Sequence, residues 1–114
     1  TSKVLITVMD RERIPEYLNM LRELRDAGIP SEIFAGDTKN ITRQVRYADR
    51  VGIPFAVIAG SNEFESNEVT VKNLAAGEKK SEKTSDRDEW LKAEGFQETI
   101  PRGELVEYIR KRLT

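Results

Sequence analysis

Residues 52–60 read GIPFAVIAG, and the placement of this stretch decides the fold. Phe55 to Ala59 is an unbroken apolar run, with Gly52 and Pro54 before it and Gly60, Ser61 and Asn62 after it. Such a run between turn-forming residues predicts a strand covered on both faces, as in a parallel sheet. Immediately upstream, Ile41, Val45 and Ala48 recur at helical spacing, so residues 39–51 are predicted to form a helix that Gly52 ends. Asp37 or Thr38 is placed to cap its start.

The same pattern occurs once more towards the N-terminus. Residues 3–9, KVLITVM, predict a first buried strand. Pro15 suits the first turn of a helix, where its missing N–H costs nothing. Ile14, Tyr17 or Leu18, Leu21 and Leu24 supply the apolar stripe of that helix, which runs to about Ala27. Gly28 and Pro30 stop it. Ile33 to Ala35, preceded by Ser31 and Glu32, is a short second strand. Helical crossovers between the first three strands require parallel pairing.

Beyond Gly60 the pattern changes. Glu63 to Asn67 is a polar link, and residues 68–74 alternate, with Val69, Val71 and Asn73 on one face and Thr70 and Lys72 on the other. A half-exposed strand antiparallel to 55–59 is expected. Ala76-Gly77 is a turn. The almost wholly polar run from Lys79 to Asp88 predicts a surface excursion, with a short helix over about 85–94 pinned by Trp90 and Leu91. Phe96 to Ile100 is the last strand. Glu104 to Leu113 is a final helix that directs Leu105, Val106, Ile109 and Leu113 inward. The expectation is an α/β domain spanning 1–114: a five-stranded mixed sheet, three main helices on its faces, and an insertion at about 79–95.

Composition excludes several chemistries. The chain has neither cysteine nor histidine, which removes disulfides, thiolate chemistry and the commonest neutral-pH base. No glycine-rich phosphate loop, nucleophile elbow or zinc-binding helix motif is present. Glu63, Glu65 and Glu68, and likewise Asp86, Asp88 and Glu89, lack the spacing of a calcium loop and read as solvated surface. Asp10 with Arg11 or Arg13 follows the first strand, at the edge where open α/β sheets bind ligands. Without glycines to approach a phosphate, it reads as a helix start. No catalytic residue, metal ligand or cofactor is therefore expected. Apolar runs of about five residues are far short of the ~20 that span a bilayer, and no leader is visible at the N-terminus. A chain that starts at Thr1 is expected to be a processed product or a piece of a longer protein.

One pattern does point to a ligand. Lys39, Arg43, Arg46 and Arg50 fall on one face of the predicted 39–51 helix, roughly opposite Ile41, Val45 and Ala48. Their row is about 17 Å long and matches a phosphate backbone. Gln44 and Tyr47 lie between the two stripes, placed to hydrogen-bond or stack. The competing reading is an ordinary solvated helix face, since 19 basic and 20 acidic residues leave a net charge of −1.

Several short stretches then occur together in one order: KNITRQVRYAD at 39–49, GIPFAVIAG at 52–60, Glu63, and EVTVKNL at 68–74. This order resembles the C-terminal anticodon-binding domain of class II aminoacyl-tRNA synthetases, and RQVRYADR with VTVKNL is most similar to the histidyl enzymes. The resemblance covers residues 3–78 and resumes at about 97–113; the 79–95 segment departs from it. It implies recognition of a tRNA anticodon stem-loop by this domain. ATP, Mg and histidine attachment would belong to a catalytic domain absent from the chain, in a homodimeric, cytoplasmic parent. Candidate RNA-binding residues are Lys39, Arg43, Gln44, Arg46, Tyr47, Arg50, Glu63 and Lys72. The alternative is a synthetase-like regulatory or protein-interaction domain without tRNA specificity.

Overall fold

A computed structural model of the chain describes residues 2–36, 40–74 and 97–113. The elements are β1 (Val4–Ile6), a 3-10 turn (Arg11–Arg13), α1 (Ile14–Asp26), β2 (Ser31–Ile33), α2 (Ile41–Val51), β3 (Phe55–Ile58), α3 (Ser61–Ser66), β4 (Glu68–Asn73), β5 (Gln97–Pro101), a second 3-10 turn (Arg102–Glu104) and α4 (Leu105–Leu113). The strands form one sheet in the order β2-β1-β3-β4-β5. β1 pairs in parallel with β2 and β3, and the β3–β4 and β4–β5 pairs are antiparallel. The expected mixed sheet is present, with the two helical crossovers joining its parallel strands.

Alternation along the strands separates two cores. Val4, Ile6 and Val8 of the first strand region, Phe55 and Val57 of β3, and Val69 and Val71 of β4 pack with Tyr17, Met20, Leu21 and Leu24 of α1 and Leu105 and Ile109 of α4. On the other face Leu5 and Ala56 meet Val45 and Ala48 of α2, with Ile53 and Leu74. The Gly28 and Gly52 stops hold: both glycines take positive φ, 81° and 85°, a conformation side chains resist.

One open choice is decided and several local expectations are corrected. Between Tyr17 and Leu18, Tyr17 goes inside and Leu18 is left 47% exposed. The buried phenol has partners that a leucine cannot use: it donates to Ala59 O at 2.6 Å and lies 3.3 Å from Asp10 N. β2 starts at Ser31 rather than Ile33. α2 starts at Ile41 rather than 39, because the Asn40 side chain accepts from Arg43 N at 3.1 Å and caps it. Residues 63–66 of the expected link belong to α3, which Asn67 ends and which is closed at its start by Glu63, whose Oε1 accepts from Gly60 N at 2.7 Å. Leu113 does not turn inward; it is 38% exposed at the end of α4. The expected 79–95 excursion, with Trp90 and Leu91, and the proposed caps Asp37 and Thr38 lie outside the described residues.

Candidate nucleic-acid interface

Every feature of α2 follows from its position over the smaller core. Val45 and Ala48 face the sheet, so Arg43, Arg46 and Arg50 are turned away from it and are exposed. They do not project into open solvent on all sides. They border a groove of about 550 Å³ whose opposite wall is the sheet's edge strand β2 with residues 34–36. That volume lies within the range of small-ligand sites.

Register determines which β2 side chains enter the groove. Glu32 is paired with Leu5, and Leu5 belongs to the core beneath α2, so Glu32 points to the α2 side. Phe34, two residues on, does the same and packs edge-on against Tyr47, with ring centroids 5.8 Å apart at 73°. Tyr47 donates its hydroxyl to Glu32 Oε2 at 3.0 Å. That hydrogen bond to the carboxylate, and then its negative charge, raise the Tyr47 pKa, with Arg50 pulling the other way. The groove therefore brings three guanidinium groups, two aromatic rings and one carboxylate together. Among the described residues neither Arg43 nor Arg50 makes an ion pair.

The other sequence candidates fall elsewhere. Lys39 is outside the described residues. Gln44 is fully buried: its amide oxygen accepts from Val8 N at 2.7 Å and its amide nitrogen donates to Val8 O at 2.8 Å. It holds α2 to the end of β1 and is not presented to a ligand, which corrects its placement between the stripes. Glu63 caps α3 and lines a second groove on the opposite face, with Glu16, Glu23, Glu68 and Arg102.

Lys72 is 4% exposed, although alternation alone placed it on the open side of β4. It pairs with Ala56, which puts it on the same face as α2, and its ammonium donates to Gln97 Oε1 at 2.8 Å. Burial lowers its pKa from the ordinary lysine value. Three strand spacings separate β4 from β2, so Lys72 stands about 14 Å across the sheet from the β2 edge. The structure thus gathers Arg43, Arg46, Tyr47 and Arg50 into one site, sets Lys72 across the same face, and sends Glu63 to the other.

Glu32 and Phe34 were not among the sequence candidates. The signal that finds them is the β2 register, which a three-residue strand does not reveal by pattern. Among the described residues, no group of carboxylates is arranged to hold a metal ion, and no helix is long and apolar enough to cross a membrane.

Comparison with known proteins identifies the family of the domain as a whole. A family model described as an anticodon binding domain matches residues 3–112. The chain is 42% identical over 111 residues to a histidine–tRNA ligase of Ruegeria sp. (strain TM1040), which covers 97% of the chain and 22% of that protein. It is 40% identical over 113 residues to the histidine–tRNA ligase of Rhizobium meliloti (strain 1021), with 97% and 22% covered. The chain thus spans about a fifth of the length of these relatives. Among solved structures, it superposes on the histidyl-tRNA synthetase of Nostoc sp. PCC 7120 with a TM-score of 0.79 at 26% identity, over 99% of this chain and 23% of that one. The RNA-binding domain of a threonyl-tRNA synthetase from Cryptosporidium parvum shares the fold, with a TM-score of 0.69 at 14% identity over 96% of this chain and 23% of that one.

Proposed function

This chain belongs to the anticodon binding domain family, and from that premise we propose that its α2 groove grips the anticodon stem-loop of a tRNA. We further propose that the chain is one domain of a longer histidine–tRNA ligase, as its similarity to those enzymes supports. In that setting histidine activation, with its ATP and Mg, belongs to a catalytic domain outside this chain. A homodimeric, cytoplasmic parent is part of the same proposal.

The observation that carries the reading is the convergence of Arg43, Arg46 and Arg50 on a groove walled by Phe34 and Tyr47. Guanidinium groups bind phosphates in planar, paired hydrogen bonds, and aromatic rings hold unstacked bases. A regulatory or protein-interaction domain would not require the two together. Phosphate contacts position the RNA without reading it; base selection must come from the groove's other walls.

The test replaces Arg43 and Arg46 together with glutamate. Both side chains are exposed, so each site should change stability by no more than about 0.5 kcal/mol. Affinity for a histidine-tRNA anticodon stem-loop should fall by at least about tenfold. The slope of log affinity against log salt should flatten by about 1.4 for two lost single-strand phosphate contacts. Glutamates at Arg22 and Arg110, exposed on α1 and α4, should change much less. A folded double variant that binds as tightly as the parent would return α2 to the status of a solvated face.

A further inference from the structure

The β2 wall of the arginine groove is an edge strand of three residues, bonded within the sheet to β1 alone. Segments with a single row of backbone partners open at low cost. A wall that shifts against α2 lowers affinity for any ligand that both walls touch, because only the molecules with a formed groove bind. What holds this wall to α2 therefore bears on what the groove can grip.

Three features of the wall converge on one residue of α2. The Tyr47 hydroxyl donates to Glu32 Oε2 at 3.0 Å, a charge-assisted bond. Phe34, two residues along the strand, packs edge-on against the same tyrosine ring, with centroids 5.8 Å apart. Gly36 makes room for that phenylalanine. A Cβ at Gly36 would lie 2.6 Å from Phe34 Cζ and 2.7 Å from Cε2, far inside the roughly 3.5 Å of a favourable carbon contact. Glu32 has no other evident use in the groove. A carboxylate beside Arg43, Arg46 and Arg50 weakens the field that an incoming phosphate feels.

We propose that Glu32, Phe34 and Tyr47 form a brace that locks the β2 wall to α2 and preorganises the arginine groove, with the Glu32 carboxylate and the Tyr47 hydroxyl as its positioning groups. The inference rests on the RNA-binding reading above and adds to it the device that keeps the site in shape. Preorganisation of this kind raises affinity by removing the ordering cost from the binding step, without adding a contact to the ligand.

The test is a double-mutant cycle in the whole chain, read by affinity for the histidine-tRNA anticodon stem-loop. Tyr47→Phe removes the hydroxyl but keeps the ring and the net charge. Affinity should fall about fivefold as the formed groove is depopulated. The slope of log affinity against log salt should stay the same, because the bound state still holds the same phosphates. Glu32→Gln keeps an acceptor for the hydroxyl and should bind at least as tightly as the parent. Glu32→Ala has the same net charge as Glu32→Gln but no acceptor, and should bind about fivefold more weakly than it. In the Glu32→Ala background Tyr47→Phe should cost nothing further, since the bond is already gone. Gly36→Ala, at an exposed position, should reproduce the loss by displacing the Phe34 ring. A Tyr47→Phe penalty that persists beside Glu32→Ala would make the hydroxyl a direct RNA contact and overturn the brace. Full recovery when Tyr47→Phe is combined with Glu32→Gln would mean that the hydroxyl only keeps the carboxylate off the arginines, which also overturns it. Parent-like affinity of Tyr47→Phe would overturn the brace and leave the RNA-binding reading standing. The bond is also readable without RNA. It raises the Tyr47 pKa, so Glu32→Ala should lower it, and an unchanged Tyr47 titration would overturn the brace whether or not the chain binds RNA. A parent that binds no stem-loop would overturn the RNA-binding reading and this inference with it.

Discussion

The two faces of this sheet do different work, and the contrast lies in what covers them. On one face α1 and α4 both contribute to a core that reaches from Val4 to Ile109, with Phe64 of α3 packed against it. On the other, α2 alone rests on Leu5, Val45, Ala48, Ile53, Ala56 and Leu74. The thick face carries an acidic groove lined by Glu16, Glu23, Glu63 and Glu68, and the thin face a cationic one. A net charge of −1 therefore conceals two opposed surfaces. Stability is concentrated where the apolar area is, which leaves the thinly covered face able to carry arginines, a carboxylate and a buried lysine. Hydrophobic stabilisation scales with area removed from water, so the same side-chain deletion should matter unequally on the two sides.

The largest effect should come from the thick face. Leu24 is fully buried in α1. Leu24→Ala should destabilise the chain by about 3 kcal/mol through lost burial and the cavity left behind. Guanidinium denaturation measures the loss. RNA affinity of the molecules that remain folded should be unchanged. A loss of affinity in the folded population would mean that the two faces are coupled and would break the division of labour.

How much of this division was legible in the sequence depends on the feature. The sheet, the parallel crossovers and the ends of α1 and α2 follow from local rules: apolar runs, period-three-to-four stripes, and glycines that take positive φ at helix ends. The arginine row was equally visible, because α2 has a regular period and its buried side is marked by Val45 and Ala48. What lay across from it was not. Which side Glu32 and Phe34 face depends on the pairing of Leu5 with Glu32, a contact between distant segments that no local pattern encodes. Gln44 was misread for the same reason. At the border of a stripe a glutamine looks solvent-directed; only the proximity of Val8, 36 residues away in sequence, turns it inward. The α3 helix was missed because six residues containing two glutamates, two serines and an asparagine carry no apolar stripe. Its start is set by Glu63 on the Gly60 N–H.

Gln44 sharpens the comparison. On a thin core, α2 needs an anchor other than apolar area, and the paired hydrogen bonds to Val8 provide one. Gln44→Leu keeps the size but leaves the Val8 N–H and C=O without their partner. A buried orphaned group costs about 1–3 kcal/mol, and the apolar side chain recovers part of that, so a net loss of about 2 kcal/mol is expected. Thermal or chemical denaturation reads it. RNA affinity should fall only as far as α2 becomes mobile. A variant as stable as the parent but defective in binding would restore Gln44 to the interface.

Lys72 gives the smallest effect and the most specific one. It lies on the thin face, 4% exposed, bonded to Gln97, and its pKa is lowered by burial. Below both its folded and its unfolded pKa the lysine is charged in both states, and the folded state carries the full cost of burying the ammonium. Between the lowered folded pKa and the ordinary value of 10.5, the unfolded chain holds a proton that the folded chain has released. Stability therefore rises with pH through that window. The tyrosines act in the opposite sense: burial raises the pKa of Tyr17 and of Tyr108, so as pH passes about 10 the unfolded state loses protons first and stability falls. A single pH profile of the parent mixes the two trends. Lys72→Met separates them, because it removes the lysine and leaves every tyrosine in place. At neutral pH the methionine should match the parent or be more stable by less than about 1 kcal/mol, since the ammonium's burial cost is offset in part by its hydrogen bond to Gln97. The difference between the two proteins should then shift towards the parent as pH climbs through the lowered lysine pKa, and level off above 10.5. Denaturation midpoints of both proteins from pH 7 to 11 give the difference directly. A constant difference across that range would mean that Lys72 keeps its ordinary pKa in the folded chain, and that its ammonium is hydrated and available to RNA rather than buried in the sheet face.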